Sequence, residues 1–141
     1  MNIKLGVIFG GVSVEHEVSI ISAVQAMQAL DKEKYDIIPI YITKDRQWYT
    51  GEILKDMETY TDMDLLKRYT SNVSLINKNG KFYLQSKGLF KHIVTELDLI
   101  LPVTKKLFKT VFINLHIIKY AYIKKDIIID TLFCSIIFFL C

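Results

Sequence analysis

Apolar and polar positions follow two rhythms along most of this chain, and its last stretch follows neither. Ile3 to Phe9 is a nearly continuous apolar run, broken only by Lys4 and Gly6, which predicts a strand buried on both faces. After Gly10-Gly11 the period lengthens. Val18, Ile21, Ala26, Met27 and Leu30 recur at helical spacing, with Ala23 and Ala29 beside them, and predict a helix ending near Asp31-Lys32. Ser13 is the expected N-cap, which puts Glu15 and Glu17 in the first turn, where the helix dipole favours negative charge. Tyr35 to Ile42 reads as a second strand, and Pro39 inside it argues for an edge position or a bulge. Lys44-Asp45-Arg46 reads as a turn, and Gln47-Trp48-Tyr49 returns from it. Strand, helix and strand with short links make a βαβ unit, which implies a right-handed crossover to a parallel neighbour.

Residues 52–71 are polar with scattered apolar points and predict a loop plus a short helix. Val73-Ser74-Leu75-Ile76 and Lys81-Phe82-Tyr83-Leu84 flank Asn79-Gly80, the residues that supply the positive φ angles of a tight hairpin. Leu97 to Val103 reads as one more buried strand that runs out at Pro102.

Beyond residue 104 the punctuation disappears. All six glycines precede residue 89, both prolines precede residue 103, and no Gly, Pro, Glu, Gln or Arg follows Thr104. This tail has no clean amphipathic period. A membrane anchor is a poor fit. The final apolar stretch, Ile127 to Cys141, holds 15 residues and contains Asp130. A spanning helix wants about 20 apolar residues, and a charge at mid-bilayer costs roughly 2.5–3.5 kcal/mol. A tail that packs on the domain, or aggregates, is the expectation.

Composition narrows the classes further. The 141 residues suffice for one domain, and 51% of them are apolar, enough for a core. The net charge is only +3, and the lysines are dispersed rather than grouped, so no nucleic-acid partner is expected. Cys134 and Cys141 lack a CxxC partner and zinc-ligand spacing, so no metal site is read and the thiols are expected to be reduced. Met1-Asn2-Ile3-Lys4 lacks the apolar region of a signal peptide.

The chemistry concentrates in Gly10-Gly11-Val12-Ser13-Val14-Glu15-His16-Glu17-Val18-Ser19, which turns a strand into a helix through two glycines and carries two carboxylates and a histidine. Such a turn is a ligand site at the end of a strand, or only a tight βα turn. It is not a dinucleotide fingerprint, because the third glycine is missing. Glu15 has two readings, a ligand carboxylate or a charge complementing the dipole. Ser13 reads more simply as a cap than as a ligand group. His16 can support the site through Glu15 or a neighbouring turn, or can be solvent-facing or bonded to the backbone.

This run resembles the N-terminal signature of the D-alanine–D-alanine ligases, the ATP-grasp enzymes that make the dipeptide end of peptidoglycan precursors. Ser22-Ala23, Leu30-Asp31-Lys32-Glu33-Lys34-Tyr35-Asp36, Tyr41-Ile42-Thr43-Lys44, Gln47-Trp48-Tyr49 and Leu97 to Val103 extend the likeness over residues 3–104. It implies an α/β fold: a parallel-sheet, Rossmann-like pre-ATP-grasp domain with a β-hairpin insertion over residues 1–104, and a non-family apolar tail, with no domain assigned, over residues 105–141. The family's next residues are His-Gly and then Gly-Glu-Asp-Gly, but here Lys105-Lys106-Leu107-Phe108 follow Thr104. That departure predicts a truncated chain whose reading frame slips near codon 104. The other two frames of the gene should then contain the missing motifs, and their absence would dismiss the idea.

The resemblance implies a reaction in which ATP phosphorylates the carboxylate of one D-alanine and the amine of a second attacks the acyl phosphate. It assigns Glu15 to hold the first D-alanine by its ammonium, as the catalytic and substrate-binding carboxylate, with Gly10, Gly11, Ser13 and His16 around the subsite. ATP and Mg are the implied cofactors, but the residues that bind them lie in domains this sequence lacks, so the chain alone is expected to have no ligase activity. A cytoplasmic location, no membrane partner and a homodimer contact through this domain are also implied. The alternatives are a non-catalytic remnant or interaction module, and a small tail-anchored membrane protein.

Overall fold

The structure is a computed structural model that describes residues 2–103. The 105–141 tail and both cysteines lie outside the described residues. In chain order the elements are β1 (Ile3–Gly10), α1 (His16–Ala29), β2 (Tyr35–Ile42), β3 (Trp48–Thr50), two 3-10 turns (Glu52–Lys55 and Met57–Thr61), α2 (Met63–Tyr69), β4 (Ser71–Lys78), β5 (Lys81–Ser86), β6 (Ile93–Leu97) and β7 (Leu99–Pro102). The sheet order is β6-β5-β4-β3-β2-β1-β7. β1 pairs in parallel with both β2 and β7, while β3 to β6 extend the sheet by antiparallel pairing. The α/β class, the parallel sheet around β1 and the added hairpin are therefore all present.

β1 is buried on both faces, which is why its sequence is a continuous apolar run. Its side chains alternate between two cores. Leu5, Val7 and Phe9 meet Ile20, Ala23, Val24 and Met27 of α1, together with Leu54 and Leu66 from the 52–69 connection. Ile8 faces the other way, onto Ile40, Ile42, Val73, Leu84 and Leu97, so the antiparallel strands cover the face that α1 leaves open. Gly6 shares that second face, where an added Cβ would lie 2.9 Å from the Leu97 side chain.

Three expectations change. First, Leu97 to Val103 is two strands. β6 ends at Leu97 beside β5, and β7 starts at Leu99 beside β1. Asp98 makes the break: its amide donates to the Lys4 carbonyl at 2.9 Å and its carboxylate accepts from the Lys4 amide at 2.8 Å. The chain thereby moves from one end of the strand order to the other in a single residue, which requires the sheet to curl. Second, β2 is not an edge strand. Pro39 precedes the segment paired with β3, Ile40–Ile42, and its carbonyl accepts from the Thr50 hydroxyl at 2.8 Å. Nitrogen and carbonyl of one strand residue point to the same side, so the missing N–H falls where β3 has ended.

Third, α1 buries a different stripe from the one the apolar period suggests. His16, Ser19, Ile20, Ala23, Val24 and Met27 face inward. Val18 and Ile21 are 55% and 44% exposed. Two polar residues have taken inward positions, and the reason lies in the turn before the helix.

Candidate functional site

The carboxyl ends of the three parallel strands meet at one turn. β1 ends at Gly10, β2 at Ile42 and β7 at Pro102. Gly10 and Gly11 have φ of 83° and 95°, values that favour glycine. At Gly10 a second constraint applies, because an added Cβ would sit 2.3 Å from the Ile42 carbonyl oxygen and 2.9 Å from the Tyr41 ring. No side chain fits there without moving the β2 backbone.

The polar groups of the turn are committed internally. The Gly10 amide donates to Ser19 Oγ at 2.9 Å, and the Ser19 hydroxyl donates to the Val103 carbonyl at 2.8 Å. The Gly11 amide donates to the Ile42 carbonyl at 2.7 Å. The Gly11 carbonyl accepts from the Ser13 amide at 3.1 Å and lies 2.7 Å from His16 Nδ1. One serine on α1 thus ties together the ends of β1 and β7, two strands joined by no local sequence. Ser19 is a residue of the candidate site to which the sequence assigned no role. The apolar period gave no signal for it, because Ser19 lies off the stripe of Val18, Ile21 and Met27.

Glu15 occupies the N-cap position of α1 rather than its first turn, and its side chain does not cap the helix. Ser13 is therefore not the helix N-cap. Its hydroxyl accepts from the Glu15 amide at 3.2 Å and its carbonyl accepts from the His16 amide at 3.2 Å, so it closes the turn that precedes the helix. The Glu15 carbonyl in turn accepts from the Ser19 amide at 2.9 Å. Glu15 is half-buried and stands on a backbone anchored on both sides.

His16 is 4% exposed and lies under the turn. Its Nε2 is 3.0 Å from the Tyr41 hydroxyl. Tyr41 stacks at a tilt on Phe9 and meets Tyr60 edge-on, with centroids 5.7 and 5.3 Å apart. Burial pushes the Tyr41 phenol up to about 12 and raises Tyr60 as well. Above this cluster an open cleft of about 480 Å³ is lined by residues that include His16, Glu17, Ile20, Tyr41, Met57 and Tyr60, but not Glu15. Glu17 forms an exposed pair with Lys44, whose ammonium holds its carboxyl below the usual range.

Among the described residues no group of three or more His, Cys, Asp or Glu is placed to hold a metal ion. The glycine amides are already bonded, so this turn is not a phosphate cradle. No helix among the described residues is long and apolar enough to cross a membrane.

Together, the βαβ unit and a carboxylate at the converging strand ends define an α/β domain with its candidate site at the position where open parallel sheets hold ligands. The comparisons with known proteins are specific. The family profile described as D-ala D-ala ligase N-terminus matches residues 4–116. The D-alanine–D-alanine ligase of Thermosipho melanesiensis is 43% identical over 84 residues, covering 59% of this chain and 23% of that enzyme. The D-alanine–D-alanine ligase of Natranaerobius thermophilus is 39% identical over 102 residues, covering 72% of this chain and 27% of that enzyme. The solved VanG D-Ala:D-Ser ligase from Enterococcus faecalis superposes with a TM-score of 0.55 at 30% identity, covering 72% of this chain and 29% of that one. The chain belongs to the D-alanine–D-alanine ligase N-terminal domain family. The matched stretch spans about a quarter of the length of these two ligases.

Proposed function

We propose that this chain supplies the first amino-acid subsite of an ATP-dependent D-alanine–D-alanine ligase, with residues 1–104 as its N-terminal domain. Glu15 grips the ammonium of the first D-alanine, and the Gly10-Gly11 turn, Ser13 and His16 hold Glu15 in place. The observation that carries this reading is the anchoring of the turn, in which the bonds of Ser13, Ser19 and Ile42 fix the backbone on which Glu15 stands. A carboxylate carried on a backbone fixed in this way forms a charge-assisted bond to an ammonium with less ordering cost at the moment of binding. ATP and Mg, held by other parts of such a ligase, supply the phosphoryl transfer that activates the amino-acid carboxylate. A cytoplasmic location, a role in peptidoglycan synthesis and a homodimer through this domain belong to the same reading.

The test is a chimera in which residues 4–103 replace the matching segment of the Thermosipho melanesiensis ligase. We expect ATP- and D-alanine-dependent phosphate release from the chimera. The Glu15→Gln version should lose affinity at the first subsite, and a chimera that binds D-alanine equally well with either side chain would reject the assignment.

A further inference from the structure

We propose that His16 is a positioning residue that clamps the Glu15 turn from below and does not itself meet the substrate. This deepens the Glu15 reading and rests on it. Both ring nitrogens are already taken. A carbonyl oxygen can only accept, so the 2.7 Å contact with Gly11 requires the proton on Nδ1. In the neutral ring Nε2 is then the acceptor, and the Tyr41 hydroxyl donates to it over 3.0 Å. Free imidazole prefers the opposite tautomer, so the fold selects this one. With the ring 4% exposed, no nitrogen is left for a ligand.

The clamp acts on the peptide that matters most for Glu15. The Gly11 amide is tied to Ile42 on β2, and its carbonyl is tied through the imidazole to Tyr41 on the same strand. The Gly11 unit is thereby held to β2 at both of its polar groups. His16 directly follows Glu15, so the side chain that fixes the turn and the carboxylate that uses it are covalent neighbours. The inward position of a polar residue at the start of α1, which the apolar period does not anticipate, has its reason here.

The test uses the intact chain labelled with 15N. The His16 ring of the wild type should show a protonated Nδ1 and an unprotonated Nε2. A ring protonated on Nε2 and not on Nδ1 would overturn the proposal without any variant. Two substitutions then separate the two bonds. Asn places an amide donor near the position of Nδ1, and Gln places a carbonyl acceptor near that of Nε2. In His16→Gln, exchange of the Ser13 and Glu15 amides should quicken roughly tenfold, as loss of one internal hydrogen bond implies. In His16→Asn the two amides should stay close to wild type, since the Gly11 bond is kept. Equal exchange in both variants would overturn the proposal, and if either variant fails to fold the wild-type tautomer still decides it. No D-alanine enters these measurements. A failed clamp therefore leaves the Glu15 reading standing, and a failed Glu15 substitution in the chimera leaves the clamp standing.

Discussion

The Gly10-Gly11 turn and the Asn79-Gly80 turn both run through positive φ, yet different forces hold them. Asn79 and Gly80, at φ of 54° and 77°, join β4 to β5 in a two-residue hairpin whose pairing runs from Lys78↔Lys81 to Val73↔Ser86. The type of turn follows from the two residues themselves. Around Gly80 a Cβ would meet nothing within 4 Å. The Gly10-Gly11 turn depends instead on partners far along the chain: Ile42, Ser19, and through Ser19 the carbonyl of Val103. One turn is local and exposed. The other is built by the tertiary structure around a carboxylate, as a site that must hold a geometry requires.

That contrast can be broken most sharply at the glycines. Gly10→Ala, which drives a methyl into the Ile42 carbonyl at a positive φ, should cost about 3 kcal/mol or more in urea unfolding. A loss below about 1 kcal/mol would show that the β2 end yields easily and that the turn is not fixed from outside. Next in size is Ser19→Ala. It strips the Gly10 amide and the Val103 carbonyl of their partner, and we expect a loss of about 2 kcal/mol. Amide exchange at Gly10 should accelerate while the β4–β5 hairpin stays protected. Equal acceleration in both regions would contradict the separation drawn here. Gly80→Ala should cost only about 1 kcal/mol, from the left-handed backbone alone.

The smallest effect is confined to alkaline solution. Burial raises the Tyr41 phenol from 10.0 to about 12, so between these values the folded chain retains a proton that the unfolded chain has lost. Stability from this group is complete below pH 10 and declines as pH rises toward 12. Tyr41→Phe should flatten that part of a Tm-against-pH profile.

The comparison also shows why parts of the fold could be read from the residues and others could not. β1, β2, the short return at Trp48 and the Asn79-Gly80 hairpin are set by local pattern, and they lie where the pattern puts them. The buried stripe of α1 was misjudged because His16 and Ser19 face inward to serve the turn. Their partners, Tyr41 and Val103, are 25 and 84 residues away in sequence. Ser13 looks like a helix cap by spacing, but the helix starts later because residues 13–15 form a turn of their own. The split at Asp98 was hidden because apolar residues flank it on both sides, and only a curled sheet brings Lys4 against that residue. At the candidate site, the motif singles out Glu15. The fastening of the backbone beneath it is a product of tertiary contacts.

The central claim, that Glu15 holds the ammonium of an amino-acid substrate, is tested most directly by the KM for D-alanine at the first subsite of the chimeric ligase, measured with Glu and with Gln at position 15. Replacing a charge-assisted bond by a neutral one should raise that KM roughly 10- to 100-fold, with the KM for ATP unchanged. An unaltered KM for D-alanine in a folded, active chimera would contradict the account.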